Sequence, residues 1–160
     1  MYERVCGFEW GAELNDICMR NIEYICRCAL TCFKEEFEVV GEMMNFPKNY
    51  CEESSIILNK FLFENGISEF KLIRGANQWD KFHFWLESET MVIDLTANQF
   101  EGIQDPYILI PKNEYPLASI FSKNVQEYAP SKPWDYLENE LYHRIRSSFY
   151  SSYFDEASLA

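Results

Sequence analysis

The chain has 160 residues and a mass of 19.0 kDa, and 48% of its residues are apolar, 17% aromatic and 25% charged. This composition excludes a disordered chain, a collagen and a coiled coil. The length predicts a single domain over residues 1–160 with a proper core. The 26 acidic and 14 basic residues give a formal net charge of −12. Because phosphate binding depends on clustered Lys and Arg, we expect no nucleic-acid partner.

Targeting signals are missing from the sequence pattern. No run approaches the ~20 apolar residues of a membrane span, so we expect no membrane partner. The first residues include Glu3, Arg4 and Glu9 and lack the uncharged core of a signal peptide. A cytoplasmic protein is therefore expected. In that compartment the six cysteines are predicted to be thiols rather than a disulfide framework.

Helical patterns occupy both ends of the chain. Residues 12–43 carry apolar side chains at spacings of three and four, which predicts one long helix or two. Pro47 interrupts this pattern. After Pro130 and Pro133 the same spacing returns, and it predicts a C-terminal helix over residues 131–152.

A shorter helix is predicted between these two, with clear start and stop signals. Asn49 is the candidate N-cap, and Glu52 completes a capping-box pattern. Asn65-Gly66 is a normal helix stop. Cys51 then lies in the first turn. It shares one stripe of the helix with Ser55, Leu58 and Leu62.

From residue 70 onward the hydrophobic period changes to two. Short runs rich in aromatic and branched residues, separated by polar residues or by Gly and Pro, predict an antiparallel sheet of about four strands. These runs are Phe70–Gly75, Phe82–Glu87, Met91–Thr96 and Tyr107–Ile110. Helices followed by strands and then by a last helix predict an α+β fold.

Three residues carry candidate chemistry: Cys51 at a helix start, His83 in one predicted strand and Asp94 in the next. Thiol catalysis requires a thiolate, a base beside it and a group that orients the base. A helix N-terminus favours a thiolate, and its free N–H groups can hold an oxyanion. The set predicts a Cys-His-Asp triad. The alternative for Cys51 is a small buried core residue.

Strand arithmetic predicts a contact between His83 and Asp94. Paired residues of an antiparallel hairpin have a constant sum of residue numbers, which is 177 for a turn centred between Ser88 and Glu89. Since 83 and 94 share that sum, the two residues are expected directly opposite each other, about 4.5–5.5 Å apart at Cβ. Ser88-Glu89 is not a favoured two-residue turn, so a four-residue loop with the same centre is expected. A three-residue loop would move Asp94 to the other face.

The residues around this triad also carry a resemblance. A cysteine opens a helix, His83-Phe84-Trp85-Leu86-Glu87 forms a His-x-Trp-hydrophobic-Glu strand, and Ile93-Asp94-Leu95-Thr96 follows. Residues 50–100 thus resemble the core of the transglutaminase-like branch of the papain-like superfamily. The spacing is similar to that of the leader peptidases of lasso-peptide maturation.

The resemblance implies a papain-like, transglutaminase-like fold and a role for each residue of the triad. In that fold N-terminal helices precede the sheet, and the helix that carries the nucleophile packs on it. Cys51 would be the nucleophile, His83 the general base and acid, and Asp94 the carboxylate that orients the imidazole.

Five further residues are candidates for binding substrate or an oxyanion. Many papain-like enzymes have a Gln shortly before the nucleophile, and this chain has Asn45 and Asn49 there. Trp79 lies in the loop before the histidine strand and is a candidate for lining a substrate groove. Trp85 is a candidate for a substrate contact, with core packing as the alternative. Gln99 is a candidate for hydrogen bonding near the site, with loop capping as the alternative.

No metal or cofactor is expected. Cys26, Cys28 and Cys32 form a Cys-x-Cys-x3-Cys run, but on a helix the first two side chains point about 200° apart. The three sulfurs therefore cannot converge on one ion, and core packing is the better explanation. The six glycines form no phosphate-binding loop.

The leading functional hypothesis is a cytoplasmic cysteine enzyme that acts on a peptide or protein substrate through a thioester intermediate. Water as the acceptor gives a peptidase or deamidase, and an amine gives a transglutaminase or acyltransferase. Hydrolysis of a peptide or glutamine amide is favoured because no acyl-carrier or nucleotide site is indicated. One alternative is a non-catalytic inhibitor or immunity-type module whose acidic surface binds a basic protein. Another is an exported effector toxin with the same chemistry.

Overall fold

A computed structural model describes residues 12–37, 46–129 and 141–159. These ranges contain three α-helices and five β-strands, in keeping with the predicted α+β class. The helices are α1 (Ala12–Glu36), α2 (Cys51–Glu64) and α3 (Tyr142–Leu159). The strands are β1 (Lys71–Ala76), β2 (Phe82–Glu87), β3 (Met91–Asp94), β4 (Ile108–Pro111) and β5 (Lys123–Glu127).

The five strands form one antiparallel sheet in the order β4-β3-β2-β1-β5. The first four follow one another as a meander, and β5 returns to pair with the free edge of β1. The prediction of about four strands missed β5. Its sequence, Lys-Asn-Val-Gln-Glu, is exposed along its whole length, so it lacks the apolar alternation that marks a strand.

The predicted bounds of the two outer helices need correction. The structure follows α1 to Glu36, and residues 38–43 of the first predicted helix and 131–140 of the last lie outside the described residues. At the C-terminus, the described helix extends to Leu159 rather than ending near residue 152. The residues after 152 include neither a Gly nor a Pro that would end the helix. This last part of the helix packs on the core because the Tyr153 ring stacks on that of Phe149, with the ring centroids 5.6 Å apart.

The helix α2 begins at Cys51, but the predicted cap is wrong. The N-cap is Tyr50, and it makes no side-chain capping hydrogen bond. Asn49 instead adopts a left-handed backbone conformation with φ of 64°, which ends the turn after Pro47. The Tyr50 ring stacks on Phe37 with centroids 4.5 Å apart. Aromatic packing on Phe37, the residue directly after α1, therefore holds the start of this helix in place of a capping box.

The predicted stop of α2 at Asn65-Gly66 is confirmed. Gly66 has φ of 81°, a conformation that is free of strain for glycine. The Ile67 N–H donates to the Leu62 carbonyl at 2.9 Å, and the Gly66 N–H donates to the Phe63 carbonyl at 3.0 Å. These two bonds form a Schellman motif, which ends the helix and directs the chain into β1.

A hydrophobic core lies on each face of the sheet. The larger core joins the sheet to the three helices and includes Ile25, Phe33, Leu58, Phe61, Leu86, Ile145 and Phe149. The smaller core covers the opposite face and consists of Ile73, Trp85, Val92, Ala97, Ile108, Tyr115, Leu117 and Phe121. Because side chains alternate along β2, Phe84 and Leu86 point to the helices while His83 and Trp85 point to the smaller core.

The cysteines are not all thiols. Cys26, Cys28 and Cys32 are thiols buried in the core, and Cys51 is a half-buried thiol. Cys18 is disulfide-bonded, so the expectation of six thiols is wrong. The cysteines therefore no longer support the expectation of a reducing compartment.

Across residues 12–37, 46–129 and 141–159, no group of three or more His, Cys, Asp or Glu side chains is arranged to hold a metal ion. None of the described helices combines the length and the apolar character needed to cross a membrane.

Candidate active site

The hairpin of β2 and β3 brings two of the three predicted triad residues together in an unpredicted register. Leu86 pairs with Ile93, so paired residue numbers add to 179 rather than 177. The directly opposite placement of His83 and Asp94 is therefore wrong. A shift by two residues keeps every side chain on its face, so the two residues are diagonal neighbours on the same face. Their side chains still meet.

The shift arises in the turn between the strands. The Ser88 N–H donates to the Met91 carbonyl at 2.9 Å, which leaves Glu89 and Thr90 as a two-residue turn. The Ser88 hydroxyl accepts the N–H of Met91 at 3.0 Å and that of Thr90 at 3.3 Å. A serine side chain thus satisfies the donors of a turn that contains neither Gly nor Asn.

His83 and Asp94 form a buried hydrogen-bonded pair. His83 Nε2 lies 2.7 Å from Asp94 Oδ2, and the two side chains are 0% and 1% exposed. Tyr115 donates its hydroxyl to the same oxygen at 2.7 Å. The other oxygen, Oδ1, accepts the Thr96 N–H at 2.9 Å and the Thr96 hydroxyl at 3.2 Å. Both oxygens of the carboxylate are therefore held, which fixes its orientation toward the imidazole.

These contacts set the charge of Asp94. Burial raises the pKa of a carboxyl group, but the positive charge and hydrogen bond of His83 and the hydrogen bonds from Tyr115 and Thr96 outweigh it. The pKa of Asp94 is therefore lower than its ordinary value, and the group is a carboxylate at neutral pH.

Aromatic rings enclose the imidazole of His83. The Phe100 ring meets it edge-on with centroids 4.9 Å apart, the Phe121 ring lies 5.0 Å away, and the Trp85 ring lies 6.0 Å away. This apolar wall strengthens the ion pair with Asp94 because it excludes water. The second ring nitrogen, Nδ1, is buried and has no hydrogen-bond partner among the described residues.

The Cys51 sulfur contributes to the pKa of this imidazole. Burial lowers the pKa of His83, but the charge and hydrogen bond of Asp94 and the nearby Cys51 sulfur together raise it to about 9. His83 is therefore an imidazolium at neutral pH. An imidazolium beside a sulfur is the counter-ion that a thiolate needs.

The position of Cys51 follows from the way α2 packs. The helix lies against β1 and β2, and the Ser55 hydroxyl donates to the Phe84 carbonyl at 3.5 Å. Cys51 is the first residue of this helix, where backbone N–H groups have no partner within the helix. Burial raises the pKa of the neighbouring Glu53 to about 7, which reduces the negative charge beside the thiol at neutral pH.

Four other predicted site residues make no described contact with the triad or lie outside the described residues. Asn45 lies outside the described residues. Asn49 is exposed, two residues before the thiol. Trp79 is 70% exposed in the turn between β1 and β2. Gln99 is half-buried at the end of a short 3-10 helix, and its Nε2 is buried without a partner in the described structure. Of these, Asn49, Trp79 and Gln99 are described, and none of the three is a core residue.

Trp85 is a core residue, so its interpretation as a substrate contact is wrong. Its side chain is 2% exposed and packs against Tyr115 with ring centroids 5.4 Å apart. Its indole N–H donates to Glu87 Oε2 at 3.0 Å, which satisfies its one polar group.

Two contributors to the site were not predicted. Thr96 follows Asp94 by two residues, and this short spacing is a signal for local hydrogen bonding to a carboxylate. Tyr115 lies 21 residues from Asp94 in the chain, after β4, and no sequence pattern links the two. Only the fold brings that hydroxyl to the carboxylate.

No model of a known protein family, no curated protein and no solved structure matches this chain. Chemical arguments about the site therefore depend on its own geometry. That geometry supplies a half-buried thiol at a helix start, an imidazolium beside it and a carboxylate that fixes the imidazolium.

Proposed function

We propose that the protein is a cysteine hydrolase of papain-like, transglutaminase-like fold, with Cys51, His83 and Asp94 as its catalytic triad. The observation that carries the proposal is the buried 2.7 Å contact between His83 Nε2 and Asp94 Oδ2, next to a thiol that acts on the same ring. A helix that begins with the thiol and packs on an antiparallel sheet supports the fold assignment. The substrate we propose is a peptide or glutamine amide.

The first half of the reaction forms a thioester. The Cys51 thiolate attacks the carbonyl carbon of the amide, and the electron pair of the C=O bond moves to oxygen. Backbone N–H groups at the start of α2 are the candidate donors to that oxyanion. His83 then gives its Nδ1 proton to the amide nitrogen as the C–N bond breaks and the amine leaves.

The second half returns the enzyme to its starting state. Neutral His83 takes a proton from water as the water oxygen attacks the thioester carbon. The S–C bond breaks, and the carboxylic acid product leaves with the thiolate and the imidazolium restored. Asp94 keeps Nε2 bound throughout, so Nδ1 stays directed to the reacting atoms.

The test is the pH dependence of Cys51 alkylation by iodoacetamide, read by mass spectrometry and compared with glutathione and the other cysteines. We expect Cys51 to react faster than glutathione below about pH 7, because its thiolate is paired with an imidazolium. His83→Ala is expected to lower that rate at least tenfold, since the counter-ion is lost.

His143→Ala is the matched control, because His143 is exposed on α3 and its loss leaves the triad intact. If Cys51 reacts no faster than glutathione and His83→Ala leaves its rate unchanged, the catalytic proposal is wrong. A non-catalytic binding module would then take its place.

A further inference from the structure

A groove with a volume of about 490 Å³ follows the free edge of β4, the outermost strand on one side of the sheet. Its lining includes Tyr107 and Leu109, which pack toward the larger core, and Ile108 and Ile110, which pack toward the smaller core. Consecutive side chains of a strand point to opposite faces of the sheet. A cavity that touches both sets therefore runs along the edge of the strand itself.

The backbone of β4 has free hydrogen-bonding groups at this edge. The Lys112 N–H donates to the Thr90 carbonyl at 2.8 Å, so these two residues are a hydrogen-bonded pair that continues the register of β3 and β4. Such pairs alternate along antiparallel strands, so Ile110 and Ile108 are the next two, and the N–H and C=O of Leu109 point away from β3. Leu109 is therefore placed to pair with another chain.

The border of the groove is acidic. Three exposed carboxylates that form no ion pair with a described residue line it, those of Glu23, Asp105 and Glu114. None of the described lining residues is basic. Burial, the Cys26 thiol and Glu23 raise the pKa of Tyr107, and the nearby charge of Arg27 opposes that rise. Three carboxylates against this one guanidinium leave an excess of negative charge at the groove.

We infer that this groove is a docking site for an extended basic segment of a partner polypeptide, which pairs with β4 as a sixth strand of the sheet. The free edge supplies main-chain hydrogen bonds, the apolar lining contacts apolar side chains, and the carboxylates bind Lys or Arg side chains. A chain of net charge −12 attracts such a partner, and the unpaired carboxylates select where it binds. The triad residues do not line the groove, so this inference is independent of the catalytic proposal.

The test measures the binding of short labelled peptides to the full chain by fluorescence anisotropy at low ionic strength. The basic probe is fluorescein-Val-Arg-Val-Lys-Val-amide, in which valine favours an extended backbone. A neutral peptide has Gln in place of Arg and Lys, and an acidic peptide has Glu. We expect the basic peptide to bind roughly tenfold more tightly than the neutral one, and the acidic peptide to bind more weakly than both.

Variants of the chain locate the binding site. Glu23→Gln, Asp105→Asn and Glu114→Gln combined are expected to abolish the preference for the basic peptide over the neutral one. Glu23→Gln alone is expected to weaken binding of the basic peptide roughly two- to fivefold. Glu35→Gln is its matched control, because it removes the same charge from an exposed position of the same helix, about 18 Å further along α1. It should leave the affinity unchanged.

N-methylation of the peptide tests the strand pairing, because it removes main-chain donors without changing the charge. One basic peptide is methylated on the backbone nitrogens of its second and fourth residues, and another on those of its third and fifth. Only one of these alternating sets faces β4 in an added strand. One methylated peptide is therefore expected to bind like the parent, and the other roughly tenfold more weakly.

Three results would each overturn the inference. They are equal binding of the basic and neutral peptides, a preference for the basic peptide that survives in the triple variant, and equal binding of the two methylated peptides. Cys51→Ser is expected to bind the basic peptide as the wild type does. The catalytic proposal is tested by alkylation of Cys51 and this one by peptide binding, so either can fail while the other stands.

Discussion

Tyr115 donates its hydroxyl to the same carboxylate oxygen, Asp94 Oδ2, that binds His83 Nε2, and both distances are 2.7 Å. The tyrosine and the imidazolium therefore compete for one oxygen. The hydroxyl reduces the share of negative charge that Oδ2 offers to the imidazolium. We consider Tyr115 a positioning residue, because it acts on the reaction only through Asp94.

Tyr115→Phe is expected to raise the pKa of His83 above its value of about 9, because Asp94 Oδ2 would then accept a hydrogen bond from the imidazolium alone. The measurement is an NMR titration of the His83 imidazole protons. The variant is also expected to lose roughly 1–3 kcal/mol of unfolding free energy, as one donor to a buried charge disappears. An unchanged or lowered pKa of His83 would contradict this account.

Asp94→Asn is expected to have the opposite effect on the imidazole. Without the carboxylate charge, burial dominates, and the pKa of His83 is expected to fall below its ordinary value of 6.5. The imidazolium that the proposed mechanism pairs with Cys51 is then absent at pH 7. We expect the alkylation rate of Cys51 at that pH to fall by roughly tenfold or more.

Asp80→Asn is the control for this change, because Asp80 is exposed and forms its ion pair with Lys123. It should leave both the titration of His83 and the reactivity of Cys51 at their wild-type values. A loss of reactivity in Asp94→Asn without a fall in the pKa of His83 would show that the carboxylate acts only through folding.

Much of this site was accessible from residue types and spacing. The apolar stripe of α2 and the alternation of β2 place Cys51 and His83 on the elements where they are found. The face shared by His83 and Asp94 was also predictable, because a two-residue error in register preserves the face of each side chain. A one-residue error would have separated them.

The rest depends on packing that no local pattern encodes. The Ser88 side chain, rather than a Gly or Asn, closes the β2–β3 turn and sets the register. The exposed strand β5 forms because β1 has an open edge. Tyr115 is distant in sequence from Asp94, and only the folded chain brings the two together.

The buried ion pair makes a specific prediction about stability and pH. The pKa of His83 is higher in the folded protein than its ordinary value of 6.5, so its contribution to stability is fully present below pH 6.5 and is lost as the pH rises through about 9. The pKa of Asp94 is lowered, so its contribution is lost in acid, as the pH falls through the folded-state value.

Urea unfolding of the wild type and of Asp94→Asn at pH 6, 7.5 and 9.5 checks this expectation. The wild type should exceed the variant in unfolding free energy at pH 6 and 7.5, and the difference should shrink at pH 9.5. Asp80→Asn should stay close to the wild type throughout, because exposed pairs contribute about 0–1 kcal/mol. A difference for Asp94→Asn that is constant up to pH 9.5 would contradict the charged form of the pair.

Gly75 is the position where a single methyl group should disturb the site most. It pairs with His83, and a Cβ there would lie 2.4 Å from the Phe121 carbonyl oxygen and 2.8 Å from the Trp85 ring. The backbone oxygen cannot move alone, so Gly75→Ala must shift the segment that carries Phe121, one wall of the His83 pocket. We expect a loss of roughly 1–3 kcal/mol in unfolding free energy and slower alkylation of Cys51.

Gly102→Ala separates packing from backbone strain in this experiment. Gly102 has φ of 88° but nothing within 4 Å of an added Cβ, so its substitution should cost only the left-handed conformation, about 1–2 kcal/mol. It should leave the alkylation of Cys51 unchanged. If Gly75→Ala lowers stability without slowing that reaction, the close packing at Gly75 supports the fold alone and does not position His83 for the thiol.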